Sequence, residues 1–294
     1  MKKAYLFAGQ GQQFLHMGKD LAQEFESVSR IYEAASLQAG FDILNLNEEQ
    51  LNSTEYTQAA VLTLNYAIST LIPNDAVYVA GLSLGEYNAL VYAGVLSFSD
   101  ALDLVLKRSK IMASALKDTG MYALLRTDIE TVELAIKDLP IAICNHNTPS
   151  QIVVGGYLKD LEASVETLKE HGIKRIVPLN VSSVSHMYLM EDASKEFEET
   201  LKQYQYKTPN VDFINNVEAK VQTDDFVSSL SRQISHRTRL SETIQLMINQ
   251  GVDQFVEIGP KGSLKSCVLA HDKSLEVHSI YDLETLKESE SNAS

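Results

Sequence analysis

A serine flanked by glycines lies where a short apolar run meets an amphipathic stretch. The run is Ala76–Ala80, the stretch begins at Glu86, and between them the chain reads Gly81-Leu82-Ser83-Leu84-Gly85. A G-x-S-x-G sequence between a strand and a helix is typical of a nucleophile elbow, whose tight turn accepts only glycine two residues either side of the serine. The following amide and the helix N-terminus can then hold an oxyanion. We therefore predict Ser83 as a nucleophile; a plain glycine-flanked turn is the alternative.

A serine nucleophile needs a base, and histidine is the usual one. His186 lies in the polar segment 182–187, ahead of a predicted helix. His146 and His236 are its rivals among the seven histidines of the chain. The residues alone leave all three open.

Arg108 occupies an unusual place on its predicted helix. At ~100° per residue it falls in the middle of an apolar stripe. The stripe is formed by Ala101, Leu104, Val105, Ile111, Met112 and Ala115. A core-facing arginine is costly unless it is paired. Its partner is either an internal carboxylate or a carboxylate of the substrate, held by the fork of the guanidinium.

A glycine-rich loop, Gly9–Gln13, follows the first predicted strand. It lacks the Gly-Lys-Ser/Thr of a P-loop and the full G-x-G-x-x-G pattern, so a nucleotide-binding loop is excluded. The loop is either a simple strand-to-helix turn or the source of a backbone N–H that completes an oxyanion hole.

The elements that must position these residues alternate along the chain, as in a parallel sheet covered by helices. Strands are predicted at Ala4–Ala8, Ala76–Gly81, Val211–Asn215, Gln254–Ile258 and Glu276–Ile280. Helices are predicted at Leu21–Ala39, Gln58–Leu71, Glu86–Ala93, Ser99–Leu116, Leu189–Tyr204 and Ser241–Gln250.

The middle of the chain has a different order, β-α-β-β-α-β, which is typical of a ferredoxin-like unit. We therefore expect a core formed by residues 1–119 and 182–287, with a ferredoxin-like subdomain inserted at 120–181. The composition of residues 288–294 predicts a disordered tail.

Composition narrows the class of protein. The chain has 294 residues, a formal net charge of −14 and two cysteines. Its charge argues against a general nucleic-acid or anionic-membrane binder. The two cysteines lack metal-ligand spacing, which favours a reducing compartment. No stretch has the length of a membrane span or the form of an export signal. We expect a cytoplasmic protein.

Together these features resemble the malonyl-CoA:acyl carrier protein transacylase family, which includes the acyltransferase domains of polyketide synthases. The matching segments, in the order of the family's motifs, are Gly9–Gln13, Gly81–Glu86, Arg108–Met112, Asn147–Val153, Ser185–Met190, Arg232–Ser235 and Glu257–Pro260.

The resemblance implies an α/β-hydrolase-like core with a parallel sheet and a ping-pong reaction without cofactor or metal. Ser83 would take malonyl from malonyl-CoA and pass it to the phosphopantetheine thiol of acyl carrier protein in fatty-acid synthesis. His186 would be the base, steadied at Gln233, and Arg108 would hold the malonyl carboxylate. The N–H groups of Gln10 and Leu84 would form the oxyanion hole.

The resemblance also implies that Gln10, Leu82 and Asn147 bind substrate, and that the enzyme is a monomer. The sequence departs from the family at Leu82, where histidine is usual, at Ala8, at Val184 and at the segment 235–237. We expect a preference for malonyl, and the residues at these positions affect which acyl group is accepted.

Three other functions stay open from the sequence. A free-standing acyltransferase for polyketide carrier domains would use the same chemistry. A serine esterase or thioesterase would use the same elbow but give Arg108 no partner. A non-catalytic carrier-protein binder would not need Ser83, His186 and Arg108 together.

An acidic acyl carrier protein requires a local positive surface on this acidic chain. The candidate clusters are Lys110 with Lys117, Lys174 with Arg175, Arg232 with Arg237 and Arg239, and Lys261 with Lys265.

Overall fold

The computed structural model describes residues 2–181 and 183–292. Its strands are β1 (Lys3–Phe7), β2 (Tyr78–Gly81), β3 (Thr119–Leu125), β4 (Ala142–Thr148), β5 (Gln151–Tyr157), β6 (Arg175–Pro178), β7 (Asp212–Phe213), β8 (Gln254–Ile258) and β9 (Glu276–Ile280).

Its helices are α1 (Lys19–Glu24), α2 (Glu26–Ala39), α3 (Glu48–Asn52), α4 (Thr54–Ser69), α5 (Gly85–Tyr92), α6 (Phe98–Ala115), α7 (Ile129–Ala135), α8 (Leu158–Glu170), α9 (Glu191–Leu201), α10 (Phe226–Ser235), α11 (Leu240–Asn249), α12 (Ser263–Leu269) and α13 (Leu283–Asn292).

A five-stranded parallel sheet forms the centre of the core, in the order β7-β2-β1-β8-β9. β1 pairs with β2 from Ala4 opposite Tyr78 to Phe7 opposite Gly81. Strands buried on both faces are read as continuous apolar runs, which is why β1 and β8 could be predicted. Because all five strands run the same way, the segments after β1, β2 and β7 meet at one edge of the sheet.

A second sheet is antiparallel, in the order β4-β5-β3-β6. Helices α7 and α8 contribute to a separate apolar cluster with it, which includes Val132, Leu161 and Leu168. β4 joins the core through residue Thr238, whose N–H donates to the carbonyl oxygen of Cys144 at 2.9 Å. The predicted mixed α/β class with a parallel sheet is therefore confirmed.

Several predicted boundaries differ from the structure. The helix predicted at Leu21–Ala39 is two helices, because Phe25 between them has extended φ and ψ angles of −118° and 114°. Both halves keep one buried face, so hydrophobic periodicity does not reveal the break. The strand predicted at Val211–Asn215 is reduced to β7, a two-residue edge strand that pairs with β2.

Helices α3, α10, α12 and α13 were not predicted. α13 includes residues 288–292, so the prediction of a disordered tail is wrong there. The reason is that Leu286 packs into the core at 1% exposure, while the N–H of Thr285 is bonded to Asp282 Oδ1 at 2.9 Å. Residues 293–294 of that tail, and residue 182 at the predicted subdomain boundary, lie outside the described residues.

Candidate active site

Ser83 lies on a strained turn between β2 and α5. Its φ angle is 52°, in the left-handed region that side chains other than glycine rarely adopt. A Cβ atom on Gly81 would lie 2.0 Å from the carbonyl carbon of Gly85, and one on Gly85 would lie 2.1 Å from the carbonyl oxygen of Phe7. Only glycine fits at either position, so the spacing of the two glycines is a steric requirement of the turn.

The hydroxyl of Ser83 faces a buried cation. Ser83 Oγ accepts a hydrogen bond from Arg108 Nη2 at 3.0 Å, and the backbone N–H of Ser83 donates to Asn216 Oδ1 at 2.7 Å. Among the described residues, no hydrogen bond joins Ser83 Oγ to His186. The serine is therefore held in place by Asn216 and is in direct contact with Arg108.

Arg108 is 1% exposed and is surrounded by uncharged partners. Nη1 donates to Gln58 Oε1 at 2.6 Å, Nη2 donates to Gln233 Oε1 at 3.0 Å, and the guanidinium carbon lies 5.6 Å from the centre of the Tyr87 ring. Within the described part of the chain it forms no ion pair, and its Nε has no hydrogen-bond partner. The internal carboxylate that the sequence left open as a partner is therefore not in direct contact with Arg108.

His186 is 4% exposed and is fixed by the carbonyl groups of α10. Its Nδ1 lies 2.7 Å from the carbonyl oxygen of Gln233, and its backbone N–H donates to the carbonyl oxygen of Ile234 at 2.8 Å. A carbonyl oxygen can only accept, so Nδ1 carries the proton and Nε2 is left with a free lone pair.

The surroundings of His186 keep the ring uncharged. Burial, reinforced by the positive charge of Arg108, lowers the pKa of His186 to about 4. At neutral pH the imidazole is therefore a neutral ring whose Nε2 can take a proton.

Gln233 connects these three residues. Its carbonyl oxygen holds His186, its Oε1 accepts from Arg108, and its Nε2 donates to the carbonyl oxygen of Ser83 at 3.0 Å. The same Nε2 also donates to the carboxylate of Glu86. The residue is completely buried on α10, an element that the sequence did not predict.

The glycine-rich loop approaches the elbow closely. A Cβ atom on Gly9 would lie 2.5 Å from the carbonyl oxygen of Leu82, so the loop backbone is packed against the turn that carries Ser83. The N–H groups of Gln10 and Leu84 have no acceptor among the described residues. Leu84 is the residue before the first turn of α5, where the helix dipole favours negative charge. The two N–H groups are available for an oxyanion.

The side chains of the other predicted site residues and of the rival bases lie outside the cluster of Ser83, Arg108, His186 and Gln233. The side chain of Leu82 packs against a second apolar cluster. Asn147 is on β4, and its buried Oδ1 has no hydrogen-bond partner in the part of the chain that the structure describes. It forms no hydrogen bond with Ser83, Arg108 or His186. Of the rival bases, His146 faces Glu242 at 3.0 Å and His236 is bonded to the carbonyl oxygen of Arg232 at 3.1 Å.

Sequence reasoning missed three polar residues of the cluster: Gln58, Glu86 and Asn216. All three are at least 95% buried. Asn216 had a usable signal, because it follows β7 at the same edge of the parallel sheet as Ser83. Gln58 is a polar residue at the start of a strongly apolar helix, and Glu86 directly follows the second glycine of the elbow.

Two other kinds of feature are absent from residues 2–181 and 183–292. No group of three or more His, Cys, Asp or Glu side chains is placed to hold a metal ion. No helix in the same ranges is both long and apolar enough to cross a membrane.

The chain is similar to known acyltransferases both in sequence and in structure. The family model described as "Acyl transferase domain" matches residues 4–285. A malonyl CoA-acyl carrier protein transacylase of Bacillus subtilis is 34% identical, and the alignment covers 99% of each chain. One of Haemophilus influenzae is 38% identical over 88% of this chain and 89% of the relative.

Solved structures are similar over nearly the whole chain. The crystal structure of an MCAT from Streptococcus pneumoniae has a TM-score of 0.95 and 36% identity, covering 99% of this chain and 100% of the other. A malonyl-transacylase in complex with a type II PKS acyl-carrier protein has a TM-score of 0.94 and 32% identity, with the same coverage.

Proposed function

This chain belongs to the malonyl-CoA:acyl carrier protein transacylase family, and on that premise we propose that it transfers malonyl from malonyl-CoA to acyl carrier protein through a Ser83 acyl-enzyme. The observation that carries the proposal is the cluster of Ser83, Arg108 and His186 around Gln233. A strained serine, a neutral base and a buried cation without an ion-pair partner suit an acyl group that itself bears a carboxylate.

The first half-reaction forms the acyl-enzyme. His186 Nε2 removes the proton of Ser83, and Ser83 Oγ attacks the thioester carbonyl of malonyl-CoA. The N–H groups of Gln10 and Leu84 stabilise the oxyanion, and collapse of the intermediate releases the CoA thiol, which takes the proton from His186. The carbonyl oxygen of Gln233 keeps the ring in the tautomer that this step needs.

Arg108 binds the free carboxylate of the malonyl group. In the structure its Nη2 is bonded to Ser83 Oγ, and its Nε has no partner. A malonyl carboxylate accepts from the guanidinium in place of Ser83, which frees the hydroxyl for His186. A neutral acetyl group has no such partner to offer. This difference supports malonyl selectivity and disfavours the esterase and thioesterase alternatives.

The second half-reaction reverses the first with a different thiol. His186 removes the proton of the phosphopantetheine thiol, the thiolate attacks the malonyl ester of Ser83, and Ser83 regains its proton. A site that excludes water leaves only the incoming thiol to attack. The chemistry of serine and histidine suffices for both steps, so we propose that the reaction needs neither a cofactor nor a metal.

Acyl carrier protein is the partner of this reaction, and its acidic surface requires exposed positive charge. Arg232, Arg237 and Arg239 form ion pairs with Glu218, Glu133 and Glu242. In the described ranges the exposed pairs Lys110 with Lys117, Lys174 with Arg175 and Lys261 with Lys265 form none. These three pairs are the better candidates for a docking surface.

We also infer that the parallel-sheet part is an α/β-hydrolase-like core and that the segment from β3 to β6 is a ferredoxin-like subdomain. The second inference is supported by the antiparallel order β4-β5-β3-β6 with one helix after β3 and one after β5. A cytoplasmic monomer and the division at residues 119–120 and 181–182 stay predictions.

The intact mass of the protein after brief exposure to malonyl-CoA tests this function. We expect one malonyl adduct that is absent in Ser83→Ala and that disappears on adding holo acyl carrier protein, whose mass rises accordingly. Acetyl-CoA is the control for the carboxylate requirement, and Ser241→Ala, which replaces a serine on a regular helix, is the control variant. An adduct that is lost to water without an acceptor would favour a hydrolase.

The choice between fatty-acid and polyketide carrier proteins needs a second arm. The malonyl-enzyme is offered holo carrier proteins of each pathway at equal concentration. Faster transfer to the fatty-acid carrier supports fatty-acid synthesis, and faster transfer to the polyketide carrier supports the alternative.

A further inference from the structure

We propose that Glu86 is a positioning residue whose carboxylate fixes the orientation of the Gln233 side-chain amide and, through that amide, the placement of Arg108. This inference rests on the proposed function and deepens it, because it assigns a role in malonyl selectivity to a residue that touches no substrate. Glu86 is 1% exposed on the first turn of α5, three residues after Ser83.

Both oxygens of Glu86 accept hydrogen bonds from segments that carry the reacting groups. Oε1 accepts from the backbone N–H of Asn216 at 2.9 Å, and Oε2 accepts from Gln233 Nε2. Asn216 in turn accepts from the N–H of Ser83 and donates from Nδ2 to the carbonyl oxygen of Gly81 at 2.5 Å. Glu86 therefore supports both the segment that holds the Ser83 turn and the side chain of Gln233.

The polarity of the contacts determines which way the Gln233 amide points. A carboxylate can only accept, and a guanidinium can only donate. Gln233 lies between the two, so its Nε2 must face Glu86 and its Oε1 must face Arg108. The reverse orientation would place the amide oxygen against the carboxylate and the amide N–H groups against Arg108. Glu86, together with the carbonyl oxygen of Ser83, thus keeps Oε1 of Gln233 as the acceptor for Arg108, 3.0 Å away.

The carbonyl oxygen of Ser83 also accepts from Gln233 Nε2, at 3.0 Å, and the charge on Glu86 strengthens the same orientation. A neutral carboxamide or a protonated carboxyl at residue 86 presents a donor as well as an acceptor, so the Gln233 amide is held less firmly and turns around in a larger fraction of the molecules. Its N–H groups would then meet Arg108 Nη2, and the guanidinium would move away from the position that receives the malonyl carboxylate. His186 is less affected, because it is bonded to the backbone of Gln233.

The pKa of the Glu86 carboxyl lies near neutral pH. Burial raises the pKa of Glu86 to about 7, although the bonds from Gln233 and Asn216 and the charge of Arg108 favour the ionised form. The charged and titratable groups that face Glu86 are Arg108 on α6 and Tyr87 on α5 itself. Helix α10 and the segment after β7 present the uncharged Gln233 and Asn216.

Glu86→Gln is the variant that separates charge from shape. Its Oε1 can still accept from the N–H of Asn216, so the elbow keeps its support, while its amide N–H group faces Gln233. We expect the rate of malonyl adduct formation to fall by about 10- to 100-fold, the size of one charge-assisted hydrogen bond lost from the site. Acetyl adduct formation should change by less than about threefold.

Glu257→Gln is the matched control. Glu257 is also 1% exposed and accepts from the N–H groups of Leu264 and Lys265, but it is bonded to none of Ser83, Arg108, His186 or Gln233. If the loss of a buried carboxylate acted only through protein stability, Glu86→Gln and Glu257→Gln would have the same effect. In each variant the malonyl and acetyl rates would then fall by the same factor. An unchanged malonyl-to-acetyl ratio in Glu86→Gln would overturn the proposal.

A measurement on the unmodified protein covers the case in which Glu86→Gln does not fold. The malonyl-to-acetyl ratio of adduct rates should fall as the pH falls through about 7 and Glu86 becomes protonated. A ratio that is flat from pH 8 to pH 5.5 would overturn the proposal. Failure of the proposed function itself is distinguishable, since the unmodified protein would then form no transferable malonyl adduct at any pH.

Discussion

His186 and His146 are both buried, at 4% and 8% exposure, but they lie in regions that differ in chemistry. His186 is next to a strained serine turn and is bonded to a backbone carbonyl oxygen. His146 lies at the junction of β4 and the core, 3.0 Å from the carboxylate of Glu242. Neither of the two contacting atoms has a hydrogen-bond partner within residues 2–181 and 183–292.

The region around His146 has more of the residue types of a catalytic triad, yet it lacks the geometry. Ser241 is close by, but it lies within the regular helix α11 and its hydroxyl contacts His271 at 3.2 Å. Ser83 has a left-handed backbone and a free N–H group beside it at Leu84. A carboxylate beside a histidine is therefore weaker evidence for a catalytic base than a serine on a strained turn with an available N–H group beside it.

Replacing each histidine by alanine gives the largest difference between the two regions. We expect His186→Ala to lower the rate of malonyl transfer by about 10²- to 10⁴-fold, the usual contribution of a general base. His146→Ala should stay within about twofold of the unmodified enzyme. Single-turnover transfer to holo acyl carrier protein measures both; equal losses in the two variants would remove the distinction.

The two regions also contain arginines of different function. Arg108→Ala should lower malonyl transfer by about 100-fold, since a charge-assisted bidentate contact with the substrate is lost. Acetyl transfer should be unchanged or higher. Arg239, which pairs with Glu242 near His146, is the control, and Arg239→Ala should alter neither rate by more than about twofold. The proposal that Arg108 binds the malonyl carboxylate is wrong if Arg108→Ala leaves malonyl transfer unchanged and acetyl transfer does not rise.

Stability against pH distinguishes the histidines without an activity assay. The pKa of His186 is about 4 in the folded chain and 6.5 in the unfolded one, so the folded state binds this proton less readily. The contribution of the neutral His186 ring to the free energy of unfolding is fully present above pH 6.5. As the pH falls toward 4, roughly 3 kcal/mol of it is lost. His186→Asn should remove this loss from the pH profile of urea unfolding, whereas His146→Asn should retain it.

The smallest effect is expected from the carboxylate beside His146. The side chain of Glu242 is 33% exposed, so its ion pairs are partly screened by solvent. Glu242→Gln should therefore lower the free energy of unfolding by less than about 1 kcal/mol and leave malonyl transfer unchanged. A large loss of transfer with normal stability would show that this junction takes part in the reaction.

Features that follow from local sterics and periodicity could be predicted from the amino-acid sequence. The elbow could be predicted because Gly81 and Gly85 are required wherever this turn forms, whatever surrounds it. Arg108 could be singled out because a cation in an apolar stripe is visible on a helical wheel. The strands β8 and β9 were predicted at their observed bounds, since short apolar runs are a local signal.

Which polar residues meet in the site could be seen only from the packing of distant segments. Gln233 lies 150 residues from the carbonyl oxygen of Ser83 that it contacts, and Asn216 lies 133 residues from the N–H of Ser83. No local pattern encodes a contact across such a separation. The packing of α4, α5, α6 and α10 at one edge of the parallel sheet brings His186 to Gln233 and gives Arg108 its uncharged partners. It also places Glu86 against the Gln233 side chain. Each of these contacts exists only when the segments are packed, because a buried donor finds its acceptor in whichever segment lies next to it.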